Sequence, residues 1–179
     1  SYLFDVNNDG FAYVISLVSD WDNLISDEKG IMVKGPNAKP TYPYGAMGEG
    51  ANFWMDWERE GTVEIFDAQG NKVISQGCGL KLHGQYARAI PVKSFKVIAR
   101  SQYGGNRFEY PLFSHRDYDE YQSFILRASG QDYDKIFMRD SLLTTLMRDT
   151  SVMYQEHEVA VCYLNGQYYS MYYMRERIN

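Results

Sequence analysis

Cysteine is scarce in this chain of 179 residues: only Cys78 and Cys162 are present, and each falls in a strand-like run. Two cysteines so far apart make no disulfide framework, and no C-x-x-C metal spacing occurs, so a pair of buried thiols is expected. Long apolar runs are missing too. None approaches the ~18–20 residues that span a bilayer as a helix, and no signal peptide is visible. The chain opens on Ser1 and stops on Asn179 directly after a strong strand, which reads as an excised piece of a longer protein. Positive charge is in deficit, with 18 Lys+Arg against 23 Asp+Glu, which excludes a general nucleic-acid binder and makes any basic site a local one. Repeats and low-complexity tracts are also absent.

What is present is aromatic. Sixteen tyrosines favour strands over helices, and the length suits one domain burying about two-thirds of its unfolded surface. The local basic exception is Gly79 to Arg100, where Lys81, Arg88, Lys93, Lys96 and Arg100 occur with no acid among them. Strand-like Leu80–His83 and Ser94–Ile98 flank a loop that opens on Gly84. Backbone N–H groups and cationic heads on one concave surface would cradle phosphate, whereas lysines on the solvated face of a hairpin would bind nothing.

Taken in order, Asp5-Val6-Asn7-Asn8-Asp9-Gly10 matches half of a calcium loop. The twelfth position is Ser16, within the strand-like run Phe11–Val18, so a plain turn is the reading and no EF-hand is expected. A short helix is expected at Trp21–Ile25, a brief strand at Gly30–Gly35 and a long loop over Pro36–Gly50. A strand is expected at Thr62–Asp67, a turn at Ala68–Asn71 and a further strand at Tyr121–Ala128. The main helix should run from about Lys135 to Asp149, because Ile136, Met138, Leu142, Leu143, Leu146 and Met147 share one half of the wheel. Arg139 sits inside that arc and Asp140 at its edge. Arg139 should therefore be buried and paired, or face a ligand, or snorkel to the surface. Finally, Glu158–Leu164, Asn165-Gly166 and Gln167–Met174 make a hairpin whose strands are apolar on both faces, which places it mid-sheet. The expected fold is α+β, a mostly antiparallel twisted sheet with one main packed helix.

Several segments together resemble the CotH family of spore-coat and secreted proteins, which are atypical protein kinases. They are Gly30–Gly35, Glu58-Arg59, Gly79–Gly84 with Arg88, Pro91–Lys96, Leu126-Arg127-Ala128-Ser129-Gly130-Gln131-Asp132, Arg139-Asp140, and Leu164–Tyr169 leading to Glu176. The order is the family's. Gln85-Tyr86-Ala87 departs from its small polar loop, Ser170 replaces a glycine, and the segment expected after Glu176 with the metal-binding and catalytic aspartates does not occur here.

The resemblance implies a single partial domain over 1–179, like a protein-kinase N-lobe with extensions and without its catalytic part. The parent would transfer the ATP γ-phosphoryl group to Ser or Thr of secreted, spore-surface or cell-surface proteins, with Mg or Mn as the metal. The cofactor-binding residues implied are Gly84, Arg88, Lys93, Lys96, Arg139, Asp140 and Glu176, with no catalytic or metal residue and no activity from this chain alone. Lys93 and Lys96, three apart on a strand, point to opposite faces; Lys93 is the favoured cleft residue and Lys96 the reserve. Partners would be a protein substrate or a cell-surface protein, with no nucleic acid and no membrane span. The alternative is a non-catalytic adhesion module binding through Thr41–Tyr44 and the Asn52–Trp57 aromatics. A carbohydrate module is suggested only by Trp21, Trp54 and Trp57.

Overall fold

The computed structural model describes residues 10–39, 49–129, 132 and 135–177. The Asp5–Asp9 calcium-like turn and Thr41–Tyr44 lie outside the described residues. Among the described residues nine strands form: β1 (Tyr13–Val18), β2 (Arg59–Phe66), β3 (Lys72–Leu82), β4 (Phe95–Ile98), β5 (Phe108–Glu109), β6 (Glu120–Tyr121), β7 (Ser123–Arg127), β8 (His157–Leu164) and β9 (Gln167–Glu176). The helices are α1 (Trp21–Ile25) and α2 (Arg139–Thr145). Gly30–Gly35, expected as a strand, folds as turns.

Seven strands close into a barrel in the order β1-β2-β3-β4-β7-β9-β8. The seam is parallel: Tyr13 to Leu17 of β1 lie beside Ala160 to Leu164 of β8. Every other ladder of the barrel is antiparallel. Alternation explains the filling, since successive side chains take opposite faces. Ile15, Leu17, Val63, Ile65, Leu80, Phe95, Val97, Phe124, Leu126, Tyr172 and Met174 are buried in one core. The free thiols of Cys78 and Cys162 belong to it, and burial pushes the Cys78 thiol up to about 12. The β8–β9 turn is the Asn-Gly turn expected, with Asn165 and Gly166 at φ 50° and 81°.

The fold is therefore mostly β with a closed barrel, not the α+β sheet with a packed helix. Two physical causes account for the correction. Closure depends on β1 pairing with β8 across most of the chain, which no local pattern encodes. The helix is also shorter than its apolar arc. Ser141, Thr144 and Thr145 bond back to the carbonyls of Met138, Asp140 and Ser141, competition that disfavours helix interiors. Its orientation is inverted: buried Ser141, together with Asp140 and Thr144, faces the barrel, whereas Ile136, Leu142, Leu143 and Leu146 are 54, 55, 53 and 64 % exposed.

Candidate functional site

The outer faces of β7 and β9 carry arginines where their inner faces carry core. Arg127 ends β7 opposite Tyr173, and Arg175 of β9 lies opposite Ile125. The α2 helix crosses outside these strands, seated by Phe137 stacked on the Tyr173 ring at 5.4 Å and by Thr144 beside His157 Nδ1 at 3.3 Å. This seating brings Asp140 between the two arginines. Its Oδ2 accepts from Arg127 Nε and from Arg175 Nη1, the latter at 3.1 Å. Arg175 is almost wholly buried, and its Nε and Nη2 have no hydrogen-bond partner. A buried guanidinium with unused donors is costly unless another acceptor arrives. Burial is the main cause lowering its pKa, and Asp140 opposes that shift.

Beside this cluster opens a cavity of about 330 Å³ lined by Gly84, Gln85, Ala87, Arg127, Ser129, Asp132, Arg139, Asp140 and Leu143. Gly84 turns the loop at φ +96°, a conformation favoured by glycine. Ser129 adopts φ 54° and donates its hydroxyl to Phe137 O, tying the end of β7 to the start of α2.

The seven residues implied at sequence level separate into three places. Gly84, Arg139 and Asp140 line this cavity. Arg88 and Lys96 line a neighbouring one of about 230 Å³ with Asp56, Lys81, Leu82, His83, Ile125 and Arg177. Lys93 and Glu176 line neither. Lys93 is 5 % exposed, donates Nζ to Arg88 O at 2.7 Å and sits over the Phe53 ring at 4.9 Å. Glu176 is buried and accepts from Arg116 Nε and Nη2 at 3.0 and 2.7 Å. Arg127 and Arg175, both absent from the sequence-level set, form the strand-to-helix ion pairs; their signals were an arginine ending an apolar strand within a segment of the resemblance, and the charged run Arg175-Glu176-Arg177 at the end of the last strand.

Arg139 is not buried. Its side chain is 52 % exposed and pairs with Asp132 at 3.1 Å. Arg139→Ala should therefore lower stability by no more than about 1 kcal/mol, the ceiling usual for exposed pairs. Urea denaturation checks this, and a loss of several kcal/mol would contradict the placement.

Burial lowers the Lys93 ammonium to about 8 from 10.5. The unfolded chain then binds more protons between these values, so Lys93 adds stability as pH rises from about 8 toward 10.5, and loses it as pH falls back. The slope is at most about 1.4 kcal/mol per pH unit. Lys93→Met should abolish this rise and keep the fold. An identical pH profile for both proteins, followed by chemical denaturation, would refute it.

Among the described residues, no group of three or more His, Cys, Asp or Glu side chains is placed to hold a metal ion. No helix of the described residues is long and apolar enough to cross a membrane. A family model described as CotH kinase protein matches residues 80–179, which takes in both cavities' cationic strands, α2 and the β8–β9 hairpin. No curated protein matches the chain.

Proposed function

From the premise that the chain belongs to the CotH kinase protein family, we propose that it holds the phosphates of ATP between the Gly84 loop and α2. The observation carrying this reading is the Arg127–Asp140 pair, a strand cation bound to a helix acid beside a glycine-turned loop. Protein kinases use a strand lysine paired with a helix glutamate to hold nucleotide phosphates. Here Arg127 stands in the lysine's place, and its guanidinium can offer two parallel N–H donors to phosphoryl oxygens. Arg139, half exposed and paired with Asp132, adds a second cation on the same wall. Asp140 fixes the direction of Arg127, and buried Arg175 holds Asp140 in turn.

The residues at hand fit phosphate. No cluster of three metal ligands stands among the described residues, and the carboxylates of this cavity are Asp132 and Asp140; Mg or Mn bound with ATP would rest on these and on the phosphates themselves. When bound, ATP supplies the transferable γ-phosphoryl group; Gly84, Arg127 and Arg139 would bind and orient its phosphate oxygens. The whole protein, on this reading, phosphorylates Ser or Thr of spore-coat, secreted or cell-surface proteins, and residues 1–179 contribute the nucleotide-facing part of that domain.

Of the surface named for the adhesion alternative, Thr41–Tyr44 lie outside the described residues, and the Asn52–Trp57 aromatics are drawn toward the core. Phe53 is buried, and Trp54 and Trp57 pack against the core, the latter beneath the Arg59 guanidinium at 4.6 Å. The test of the kinase reading is transfer of labelled γ-phosphate by the parent protein. Arg127→Gln should reduce it strongly while the melting temperature stays close to that of the unmodified protein. Undiminished transfer would overturn the assignment.

A further inference from the structure

The second cavity carries more positive charge than the first. Lys81 comes from β3, His83 and Arg88 from the loop after it, Lys96 from β4 and Arg177 from just beyond β9. Four permanent cations thus face one carboxylate among the lining residues, Asp56, whose side chain is 79 % exposed and pairs with Lys81 at 2.6 Å. Lys81 holds the Asp56 carboxyl below its usual range, with Arg88 assisting.

Register forces the cations together. Lys81 and Lys96 are directly opposed across the β3–β4 ladder, where like charges are destabilising. Nothing in the core requires this pair, because the inward-facing neighbours Leu80, Leu82, Phe95 and Val97 fill the barrel without it. Arg88 Nε is buried on the same wall with no hydrogen-bond partner. Burial first, and then the charges of Arg127, Arg88, Arg177 and Arg175, lower the pKa of half-buried His83. Asp56 pairs with Lys81, which leaves Lys96 opposite it and the unused Arg88 donor with no further carboxylate among the lining residues. The volume, about 230 Å³, is below the ~300–1,000 Å³ typical of pockets that enclose drug-sized ligands, and suits a small anion.

We propose that Lys81, His83, Arg88, Lys96 and Arg177 form an oxyanion site for a phosphate- or pyrophosphate-class ligand, separate from the phosphate site at Arg127. The two sites are neighbours on the barrel's outer surface, since Ile125 lines one and Arg127 the other. Two residues along a strand span roughly 6.6 Å. The proposal does not depend on the nucleotide assignment of the Arg127 cavity.

Calorimetric titration of inorganic pyrophosphate into the 179-residue chain tests it. Lys96→Gln should weaken binding about tenfold or more, the loss expected for one charge-assisted contact. Arg127→Gln should change it by less than about threefold, well under the weight of one such contact. Pyrophosphate should also raise the melting temperature of the unmodified chain and not that of Lys96→Gln. Because Lys96→Gln relieves the repulsion with Lys81, it should fold at least as stably in anion-free buffer. ATP then distinguishes the sources: displacement of pyrophosphate assigns the oxyanion to the nucleotide's own phosphate chain, and simultaneous binding assigns it to an independent anion; either supports the site. Failure of ATP to bind while Lys96-dependent pyrophosphate binding persists removes the Arg127 assignment alone. No binding at millimolar pyrophosphate, or equal loss in Arg127→Gln and Lys96→Gln, overturns the proposal.

Discussion

Glu176→Ala should destabilise the barrel by about 3–5 kcal/mol, the range for a buried ion pair that loses one partner. The carboxylate side chain is 7 % exposed and the Arg116 guanidinium 19 %. Arg116 reaches it through Nε and Nη2, Glu156 N donates to it at 3.1 Å, and Glu176 N returns a bond to Glu156 O at 3.0 Å. Removing the carboxylate leaves the guanidinium over the Tyr154 ring, with its bond to Tyr154 O at 3.0 Å and no opposing charge. It also strips the backbone N–H of Glu156 of its acceptor. For a domain of this size the loss corresponds to roughly 6–20 °C in melting temperature. Glu176→Gln, which keeps an acceptor of the same shape, should lose less. A change under about 1 kcal/mol in urea denaturation would class the pair with ordinary surface bridges. Weaker ATP binding at unchanged stability would instead return Glu176 to the ligand.

Arg127→Gln should weaken ATP binding to the chain by about 10- to 150-fold. That range is the worth of one charge-assisted hydrogen bond to an ion, about 1.5–3 kcal/mol, converted to affinity. Glutamine keeps much of the length and a polar head but neither the charge nor the two-pronged donor geometry. Stability should fall less than in Glu176→Ala, because Asp140 retains Arg175 at 3.1 Å. Calorimetry with the wild-type and variant chains reads the affinities. Equal affinities would remove Arg127 from the site, and a collapse of the fold would make its role structural.

Most barrel strands were legible because β-branched and aromatic residues gather along them, although Gly30–Gly35 misled, and the Asn165-Gly166 turn was legible because few dipeptides tolerate two positive φ values. Barrel closure was not. The β1–β8 seam joins Tyr13 to Ala160, and nothing within either segment names the other. The helix shows what periodicity can and cannot carry: the apolar arc of Ile136 to Met147 is real, but periodicity does not say which face has a neighbour. In the structure the polar edge, Asp140-Ser141-Thr144, meets the barrel. Lys93, the favoured cleft residue, precedes β4 and turns inward over Phe53, whereas Lys96, the reserve, reaches an outer cavity; strand alternation cannot choose between them because Lys93 lies outside the strand. Arg127 stood within a quoted family segment, yet a cation at the end of an apolar strand looks the same whether it meets solvent or an acid. Its partner, Asp140, was in the candidate set; the pairing needed the fold.

The central claim is that nucleotide phosphates lie between the Gly84 loop and α2. ATP titrated into isotope-labelled chain, with amide chemical shifts followed residue by residue, tests it most directly. The account predicts that the largest shifts fall on Gly84, Gln85, Ser129 and Asp140, and that they vanish in Arg127→Gln. Shifts centred instead on the separate cavity at Ser75, Gln76 and Gly105, or no shifts at millimolar ATP, would contradict it.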